Sequence, residues 1–526
     1  MNRLLCIFGA VLLGLCGHAA RSAEIWLAGV DPFVRAVTQP GTPSDYQSLF
    51  SPKAAWSRAA AQVAVFKTST QWLLNAPDAD LREMFNDLRA RHIALAFEGL
   101  MIPHLQACGQ GVEGYSGPGE IARVAERVRT LGGRIDAVAM DEPLWYGHHY
   151  LGPQHCAASI EAVARSLAQN VAVLRAAFPN IRIGDIEPLD PLAPQAWADE
   201  VIHFADAFRA ATGRPLDFVH LDIPWQSPWQ SALARLQQRL HAAHLPIGII
   251  YNGDESDQTD LAWTQHASAR AVQVEDGSSA LPDQAILQSW MRHPSRMLPE
   301  DQPGTMTNLL LDYARTRIWR RPVGPARIAL IDEHGQPVVG AHVQAARVDV
   351  ARLTARHVNG IIPPNAASVL LALRLNVECD CAGSGAVRLG EVHLSSGGRE
   401  TVLRFTDLPI GADGVQSFHA VTGRSEMHNS ANVPVVPGVP YALDMRMAAD
   451  GTVGQAGYLA LISLGADGRE VSRTRFPLTP SLTDPIDLTT DASGAVDFLA
   501  LGHGNVRFSF AGAPDRRPLW GYFDIQ

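Results

Sequence analysis

The chain has 526 residues, of which 47% are hydrophobic and 18% are charged. This balance suits large buried cores and excludes a mainly disordered chain, and the length predicts two or three domains. The formal net charge is −10. Because contacts with nucleic-acid phosphates require dense basic patches, which this sequence lacks, we expect no nucleic-acid partner.

The N-terminus has the pattern of a secretory signal peptide. A basic Arg3 precedes an apolar run from Leu4 to Cys16, and small residues follow up to Ala23. The run is too short to cross a bilayer, which needs about 20 residues. We therefore predict a signal peptide over residues 1–23, no membrane span, and a secreted or periplasmic protein. We expect it to be a monomer.

Four cysteines lie beyond the predicted signal peptide. Cys108 and Cys156 fall on the loops after the third and fourth predicted strands, and we predict a disulfide between them. Cys379 and Cys381 form either a tight local disulfide or two unpaired thiols. A zinc site there is the weaker interpretation, because no second close pair of ligands accompanies them.

From Glu24 to about Arg320, short apolar strands alternate with amphipathic helices, a pattern typical of parallel α/β structure. One helix illustrates the pattern. Pro77 and Asp78 mark its start, and apolar residues then recur at helical spacing, at Leu81, Met84, Phe85 and Leu88.

Eight strands are predicted in this region, at Ile25–Val30, Val63–Lys67, Ile93–Glu98, Ile135–Asp141, Ile181–Glu187, Phe218–Asp222, Ile247–Asn252 and Ala285–Trp290. Eight strand–helix units in roughly 300 residues match a (β/α)8 barrel, or TIM barrel, over residues 24–320. A doubly wound open sheet ranks lower, because its first strand usually precedes a glycine-rich phosphate turn. Here Val30-Asp31-Pro32-Phe33 occupies that position.

After Pro322 helical periodicity gives way to short alternating strands with Gly, Pro, Asn and Asp turns, which predicts an all-β region. The segment Pro337–Val343 resembles the opening of bacterial immunoglobulin-like modules, and the usual continuation appears only at Thr489–Phe498. We therefore predict a split immunoglobulin-like β-sandwich over residues 322–350 and 480–526. The inserted residues 351–479 resemble jelly-roll carbohydrate-binding modules.

Acidic residues close most of the predicted barrel strands, where a TIM barrel has its active site. Each one alone is commonly a helix cap. Together they predict an acidic cleft that binds substrate, and cleavage of a glycosidic bond requires two carboxylates. The residues are Asp31, Glu98, Asp141, Glu142, Glu187 and Asp222, with Asn252 and Asp254 after the seventh strand.

The fourth strand ends in Met140-Asp141-Glu142-Pro143. This segment resembles the fourth-strand motif of clan A glycoside hydrolases, in which Asn-Glu-Pro carries the acid/base glutamate. The resemblance implies that Glu142 is the catalytic acid and base. Asp141 stands where the family has the asparagine that binds the sugar 2-hydroxyl. We expect Asp141 to contact substrate, and the difference leaves room for another family.

The resemblance also implies a nucleophilic glutamate at the end of strand seven, but this chain has Tyr251-Asn252-Gly253-Asp254 there. Our first choice for the second carboxylate is Glu187, followed by Asp222 and then Asp254. A further option, similar to barrel glycosidases that use strands four and six, pairs Asp141 as nucleophile with Asp222 as acid.

Aromatic residues at or beyond the strand ends favour a sugar ligand, because a flat ring covers the C–H groups of a pyranose. Packing between loops and helices accounts for some of them. Clan A enzymes often place a tryptophan at the end of strand eight as the floor of the cleavage subsite, and Trp290 matches that position. The set is Trp145, Tyr146, Trp225, Trp229, Tyr251, Trp263 and Trp290.

Lys67 ends the second strand and either binds an acidic sugar or neutralises a neighbouring carboxylate. His148, His149 and His155 crowd the loop after strand four. Adjacent histidines on one loop rarely converge on a metal, so we expect His148 to bind substrate or solvent and no metal to be held. The sequence has no Gly-rich phosphate loop, Gly-x-Ser-x-Gly or His-Glu-x-x-His motif, and we expect no cofactor.

These features predict a secreted glycoside hydrolase that cleaves a polysaccharide or oligosaccharide by two-carboxylate acid/base chemistry. The missing strand-seven glutamate leaves open a non-catalytic carbohydrate-binding or scaffold protein on the same kind of barrel. A metal-assisted barrel enzyme, such as a deacetylase, is the third alternative.

Overall fold

The computed structural model describes residues 23–526, except 39, 42–43, 104–107, 228, 278–281, 377–385, 420–424, 451–456, 479, 514, 518 and 526. The predicted signal peptide up to residue 22, together with Cys379 and Cys381, therefore lies outside the described residues. Within the described part of the chain, no helix is both long and apolar enough to cross a membrane.

Eight parallel strands close into a barrel, which confirms the predicted TIM-barrel fold. The last strand pairs with the first, with Gln284 opposite Glu24, and so completes the ring. The strands are β1 Glu24–Ala28, β2 Val65–Ser69, β3 Ala94–Gly99, β4 Ala137–Asp141, β5 Arg182–Pro188, β6 Phe218–Asp222, β7 Ile247–Tyr251 and β8 Gln284–Gln288.

Helices connect the strands and pack around the barrel. The helices are α1 Pro32–Thr38, α2 Ser57–Ala60, α3 Thr70–Asn75, α4 Asp78–Ala90, α5 Glu120–Thr130, α6 Ile160–Ala177, α7 Pro194–Thr212, α8 Gln230–Ala242, α9 Asp260–Gly277 and α10 Met306–Ala314. Shorter elements are a 3₁₀ turn at Tyr46–Phe50, a π-helical turn at Trp145–His149 and two short paired strands at Ile102–Pro103 and Tyr115–Ser116.

Sequence periodicity explains how these helices pack. The helix α4 begins directly after Pro77, as predicted, and its acidic first turn suits the positive end of the helix dipole. Its apolar stripe is buried, and each such side chain contributes about 1.5–3 kcal/mol when it leaves water. The buried residues are Leu81, Met84, Phe85 and Leu88.

A disulfide joins Cys108 to Cys156, as predicted. It ties the loop after β3 to the loop after β4. A backbone hydrogen bond from Gly109 to the carbonyl of Gln154 (2.7 Å) reinforces the same contact. The two loops at this side of the barrel mouth therefore form one connected unit.

Beyond α10 the described chain forms antiparallel sheets and one 3₁₀ turn at Leu499–Leu501. A three-stranded and a four-stranded sheet share a core that includes Ile328, Val343 and Phe508. Their strands come from both ends of the region, at Ile318–Gly324, Arg327–Asp332, His342–Arg347, Ile486–Thr489, Ala495–Asp497, Gly504–Phe510 and Leu519–Ile525.

Two further antiparallel sheets lie between these halves in the chain and enclose a separate core that includes Leu371, Leu443 and Leu461. Their strands are Thr354–Ile361, Ser368–Asn376, Ala386–Leu389, Val392–Ser396, Arg399–Leu403, Gln416–His419, Ser425–Asn429, Val433–Pro434, Pro440–Ala449, Tyr458–Leu464 and Glu470–Pro477.

A buried charge connects the barrel to the C-terminal region. Glu275 on α9 is 1% exposed, and its Oε2 accepts a hydrogen bond from Arg517 at 2.7 Å and pairs with Arg317 at 3.2 Å. Its Oε1 accepts the hydroxyls of Tyr251 at 3.0 Å and Tyr313 at 2.9 Å. Since an unpaired buried charge is very costly, this cluster requires both parts of the chain to be in place.

Candidate active site

Side chains at the carboxyl end of the barrel interior form the candidate site. Successive side chains of a strand point to opposite faces, and one buried cluster marks the interior face. It contains Trp26, Val65, Ala96, Ala139, Phe218, Ile250 and Ile286. Counting two or four residues onward along the same strands reaches the mouth, at Lys67, Glu98, Asp141, Asp222, Asn252 and Gln288.

Glu98 on β3 is held by two side chains from other strands, Lys67 on the adjacent β2 and Gln288 on β8. The Nζ of Lys67 lies 2.5 Å from Oε2 of Glu98, and Nε2 of Gln288 donates to the same oxygen at 2.8 Å. Lys67 itself is only 1% exposed. Charge-assisted hydrogen bonds of this kind are short and strong. Of the two roles predicted for Lys67, the geometry matches neutralisation of a neighbouring carboxylate.

Asp141 lies half-buried at the end of β4. Burial raises its pKa well above the usual value, and the charges of Glu98, Glu113 and Glu142 raise it further, while Lys67 acts in the opposite direction. Burial and the neighbouring acids therefore favour the protonated form of Asp141, and in that form the carboxyl group can donate a hydrogen bond.

Glu142 follows with a backbone conformation that is rare for a residue with a side chain. Its φ is 45°, in the left-handed region, which costs roughly 1–3 kcal/mol and persists only when the surroundings fix it. Its N–H donates to the carbonyl of Ile186 at 3.1 Å, and its carbonyl accepts the N–H of Tyr146 at 3.0 Å. Strain of this kind is frequent at functional sites.

The carboxyl group of Glu142 is half-buried and surrounded by other acids. Burial raises the pKa of Glu142 to about 9, with further contributions from the charges of Glu187, Asp222 and Glu113. The side chain therefore carries a proton at neutral pH. A carboxylic acid that stays protonated at neutral pH can act as a general acid.

Asp222 ends β6 on the interior face and is partly open to solvent. Burial raises the pKa of Asp222 to about 7, helped by the charge of Glu98 and opposed by Lys67 and Arg270. Asp222 is therefore ionised above neutral pH, where Glu142 is still protonated. Two carboxyl groups with separated pKa values are the arrangement that acid/base chemistry requires.

Glu187 occupies a different position from the one expected of a nucleophile. It points away from the barrel interior and is 0% exposed. One oxygen accepts the backbone N–H of Leu144 at 2.7 Å, and the other accepts that of Trp145 at 3.0 Å. This placement corrects the expectation that Glu187 attacks substrate, because both oxygens are occupied and no path leads to them. Glu187 instead fixes the backbone just after Glu142.

The seventh strand ends beside a buried arginine. Arg270 on α9 donates to the carbonyl of Asn252 at 2.8 Å and to its side-chain oxygen at 3.1 Å. It also pairs with Asp254 at 3.2 Å, and its guanidinium lies 5.2 Å from the ring centre of Trp225. The side-chain oxygens of Asn252 and Asp254 are thus engaged within the protein, where they support the loop after β7.

Asp254 differs from the acids at the mouth. Burial would raise its pKa, but hydrogen bonds from Ser256 and the charge of Arg270 hold the pKa of Asp254 below the usual value. It therefore stays ionised under ordinary conditions. An acid of this kind cannot supply a proton near neutral pH, although it remains a carboxylate.

Glu113 lies on the loop that the disulfide anchors. Its Oε2 accepts the hydroxyl of Tyr146 at 2.6 Å, so it contacts the π-helical turn that follows Glu142. Its charge also raises the pKa values of Asp141 and Asp222. Glu113 is exposed and adds negative charge to the mouth from outside the barrel.

The predicted aromatic contacts divide into two groups. Trp145, Tyr146 and Trp290 are half-buried and retain surface that a ligand can reach. Tyr251 is 0% exposed, points to the helix layer and donates to Glu275. This position corrects the expectation that Tyr251 contacts substrate. Three other rings are also largely buried, namely Trp225, Trp229 and Trp263.

Asp31 lines a small cavity of about 50 Å³ at the mouth, together with Lys67, Glu98, Gln288 and Trp290. One of its oxygens accepts the backbone N–H of Phe33 at 2.9 Å, which caps the start of α1, and the other accepts the hydroxyl of Ser69 at 2.5 Å. A larger cavity of about 630 Å³ lies between helices α3 to α5, away from the acids.

The loop histidines have a partner that does not lie on their own loop. His148, His149 and Glu200 each offer a ligand atom, and these atoms all lie within 4.8 Å of one another. Glu200 lies on α7, which follows the next strand. His155 instead contacts the carbonyl of Gly152 at 2.8 Å. We predicted no metal because adjacent histidines on one loop rarely converge, whereas the third possible ligand, Glu200, comes from a helix.

Several residues of the site were not predicted. Gln288 lies two residues beyond Ile286 on β8, so strict alternation along that strand could have identified it. Glu113, Arg270 and Glu200 lie on a loop and on helices whose sequence carries no signal of proximity to the mouth. Their roles depend on how the crossover segments pack.

Comparisons with known proteins add the following findings. No family model matches the sequence, and no curated protein matches it. One of two fungal β-1,4-galactanases is 12% identical, covers 55% of this chain and 99% of its own, and has a TM-score of 0.36. A thermostable mutant of a xylanase from Cellvibrio japonicus is 10% identical, covers 56% of this chain and 97% of its own, with a TM-score of 0.35.

A xylanase from Paenibacillus barcinonensis is 12% identical and covers 55% of this chain and 95% of its own, with a TM-score of 0.33. Each of these three structures matches only 55–56% of this chain, a length close to that of the barrel. The barrel fold itself is established by the strand pairings described above.

Proposed function

We propose that this protein is a glycoside hydrolase that acts on a polysaccharide or oligosaccharide. The observation that carries the proposal is the pair formed by Glu142 and Asp222. Glu142 follows the end of β4, Asp222 ends β6, and the charge of Asp222 raises the pKa of Glu142; the pKa values of Glu142 and Asp222 are about 9 and about 7, respectively. One is therefore an acid and the other a base in the same pH interval, which is what glycosidic bond cleavage needs.

In this mechanism Glu142 donates its proton to the glycosidic oxygen as the bond from that oxygen to the anomeric carbon breaks. The carboxylate of Asp222 serves the anomeric carbon, either by attacking it or by removing a proton from the attacking water. Glu98 forms an ion pair with Lys67. Its charge acts on the other acids at the mouth by raising the pKa values of Asp141 and Asp222. Asp141, at the end of β4, can donate a hydrogen bond to a sugar hydroxyl when it is protonated.

Half-buried aromatic rings support a sugar as the ligand. Trp145 and Tyr146 lie three and four residues after Glu142, and Trp290 lines the cavity that Glu98 also lines. Rings at these positions can cover the apolar face of a pyranose. We propose that these three residues bind the sugar, and that the C-terminal sheets also contact carbohydrate.

We also propose that the protein acts outside the cytoplasm. The N-terminal sequence pattern favours export, and the disulfide between Cys108 and Cys156 is of a kind that persists in oxidising compartments.

The test is a screen of polysaccharides for newly formed reducing ends, followed by Glu142→Gln and Asp222→Asn. We expect each substitution to lower kcat by about 10²- to 10⁴-fold. Glu126→Gln, on the exposed face of α5, is the matched control and is expected to keep full activity. Equal activity of wild type and Glu142→Gln would overturn the proposal.

The second candidate function is a non-catalytic carbohydrate-binding protein. It is favoured by the chain after β7, where Asn252 and Asp254 stand and no glutamate closes the strand. Binding of a polysaccharide without release of reducing ends would support it. A chelator distinguishes the metal-assisted alternative, because it should abolish that activity, whereas the chemical step of two-carboxylate hydrolysis needs no metal and should persist.

A further inference from the structure

We propose that His148, His149 and Glu200 form a binding site for a divalent zinc-class cation that fastens the π-helical turn to α7. The three ligand atoms converge within 4.8 Å of one another. Two imidazoles and one carboxylate are a common ligand set for Zn²⁺ in proteins, with a water in the fourth position. This inference does not depend on the proposed hydrolase activity.

The first argument is the orientation of His148. Its Nδ1 lies 2.6 Å from the carbonyl oxygen of Ala158. A carbonyl can only accept, so Nδ1 carries the hydrogen and Nε2 presents a lone pair. Metal-bound histidines are typically oriented by a hydrogen bond of this kind from the other ring nitrogen.

The second argument is the placement of His149. Its ring is stacked on Trp145, with centres 5.5 Å apart, and meets Trp197 edge-on at 5.0 Å. Its Nε2 faces an oxygen of Glu200. Because the two indoles restrict the ring, little side-chain entropy remains to be lost when a cation binds.

The third argument is access. The side chains of His149 and Glu200 are 31% and 30% exposed, so a hydrated cation can reach them from solvent. A neighbouring pair, His203 with Glu161 at 2.9 Å, has the same chemistry but no third ligand among the described residues. The three-residue cluster therefore differs from an ordinary surface ion pair.

The location indicates a structural role. Glu200 lies on α7 in the helical ring, whereas the acids of the mouth point into the barrel. Trp197, one turn earlier on α7, is 2% exposed and donates to the carbonyl of Pro188 at 2.8 Å. A cation here would connect α7 to the turn that begins at Trp145, whose N–H is held by Glu187. It would thus brace the chain next to Glu142.

The experiment uses the full chain without a histidine tag and Zn²⁺ alone as the probe. Equilibrium dialysis and calorimetry should give one bound Zn²⁺ in the wild type. We expect His148→Ala and Glu200→Gln each to weaken binding at least about tenfold, a loss typical for disturbed metal sites. His203→Ala, the matched control on the same helix, should bind as the wild type does.

Two further measurements keep the test independent of folding defects. Glu200→Gln preserves shape, and its melting curve without metal shows whether it folds. X-ray absorption at the zinc edge should show two imidazole nitrogens at about 2.0–2.1 Å. Absence of Zn²⁺ binding by the wild type, or equal binding by folded Glu200→Gln, would overturn the proposal. Added Mg²⁺ should not compete, because it prefers oxygen ligands.

Discussion

Glu187 acts on Glu142 in two ways. Its charge raises the pKa of Glu142, and its two oxygens hold the backbone N–H groups of Leu144 and Trp145, which follow Glu142 in the chain. A buried acid on the outer face of β5 therefore influences the pKa of the half-buried Glu142, which follows β4, and fixes the backbone beside it. This makes Glu187 a positioning residue.

The substitution Glu187→Gln tests that role. Without the charge of Glu187, the pKa of Glu142 should fall, so the alkaline limb of the pH–activity profile should move to lower pH. The altered backbone contacts should also reduce kcat. The measurement is a pH profile of kcat/KM. A profile that keeps its alkaline limb, with only the rate reduced, would show that Glu187 supports structure alone.

The wild-type pH profile is itself a prediction. Activity should rise as Asp222 ionises near pH 7 and fall as Glu142 loses its proton near pH 9. We therefore expect a bell-shaped curve of kcat/KM with its maximum between these values. An optimum near pH 4 or 5 would contradict the assignment of Glu142 as the acid.

Asp185 provides a prediction about stability. It is 0% exposed, and neither oxygen has a hydrogen-bond partner among the described residues. Burial raises its pKa well above the usual value, with the charge of Glu142 adding to the effect. A raised folded-state pKa stabilises the fold below the unfolded pKa, near 4, and this contribution is lost as pH rises toward the folded value.

We expect Asp185→Asn to remove the loss of stability that the wild type shows as pH rises, because asparagine does not ionise. The free energy of unfolding of the variant, relative to that of the wild type, should be higher at pH 8 than at pH 4 by at least about 1 kcal/mol. Each unit of pKa shift corresponds to about 1.4 kcal/mol. Urea unfolding at both pH values measures the difference. Asp199→Asn, on the exposed side of α7, is the control. Parallel stability curves for Asp185→Asn and wild type would refute the expectation.

The buried charge of Glu275 gives a further prediction. Arg517→Met removes one of its partners, and breaking a buried ion pair typically costs about 3–5 kcal/mol. Arg327→Met removes an exposed partner of Asp491 and should cost less than about 1 kcal/mol. Denaturant unfolding compares the two variants.

A second substitution makes this result specific. Adding Glu275→Leu to Arg517→Met should recover part of the lost free energy, because the buried carboxylate is then gone and only Arg317, whose side chain is 12% exposed, loses a partner. If the two losses simply add, Glu275 and Arg517 are not coupled.

The barrel could be predicted from sequence because its signals are local. Apolar strands and the stripe of α4 repeat along the chain, and the disulfide between Cys108 and Cys156 followed from their positions after successive strands. The carboxyl ends of the strands also indicated where the acids gather. Each of these inferences needed only neighbouring residues and the known order of a TIM barrel.

The division of labour among the acids could not be predicted in the same way. Glu187 and Tyr251 both lie at the ends of their strands, yet both side chains point to the helix layer. Side-chain alternation predicts which face a residue occupies only when the register of its strand is known. The left-handed φ of Glu142 has no signal in its own residue type. Glu113 and Glu200 come from distant segments, so only the packed structure shows their partners.

The junction around Glu275 has a consequence for how the molecule is made. Glu275 precedes Arg517 by 242 residues, so Arg517 is reached only after most of the antiparallel sheets have been translated. Until then Glu275, which lies beside Tyr251 and Tyr313, has only one of its two arginine partners, Arg317. Maturation of the barrel should therefore finish late, and a barrel expressed without its downstream partner should be less stable than the same barrel in the whole chain.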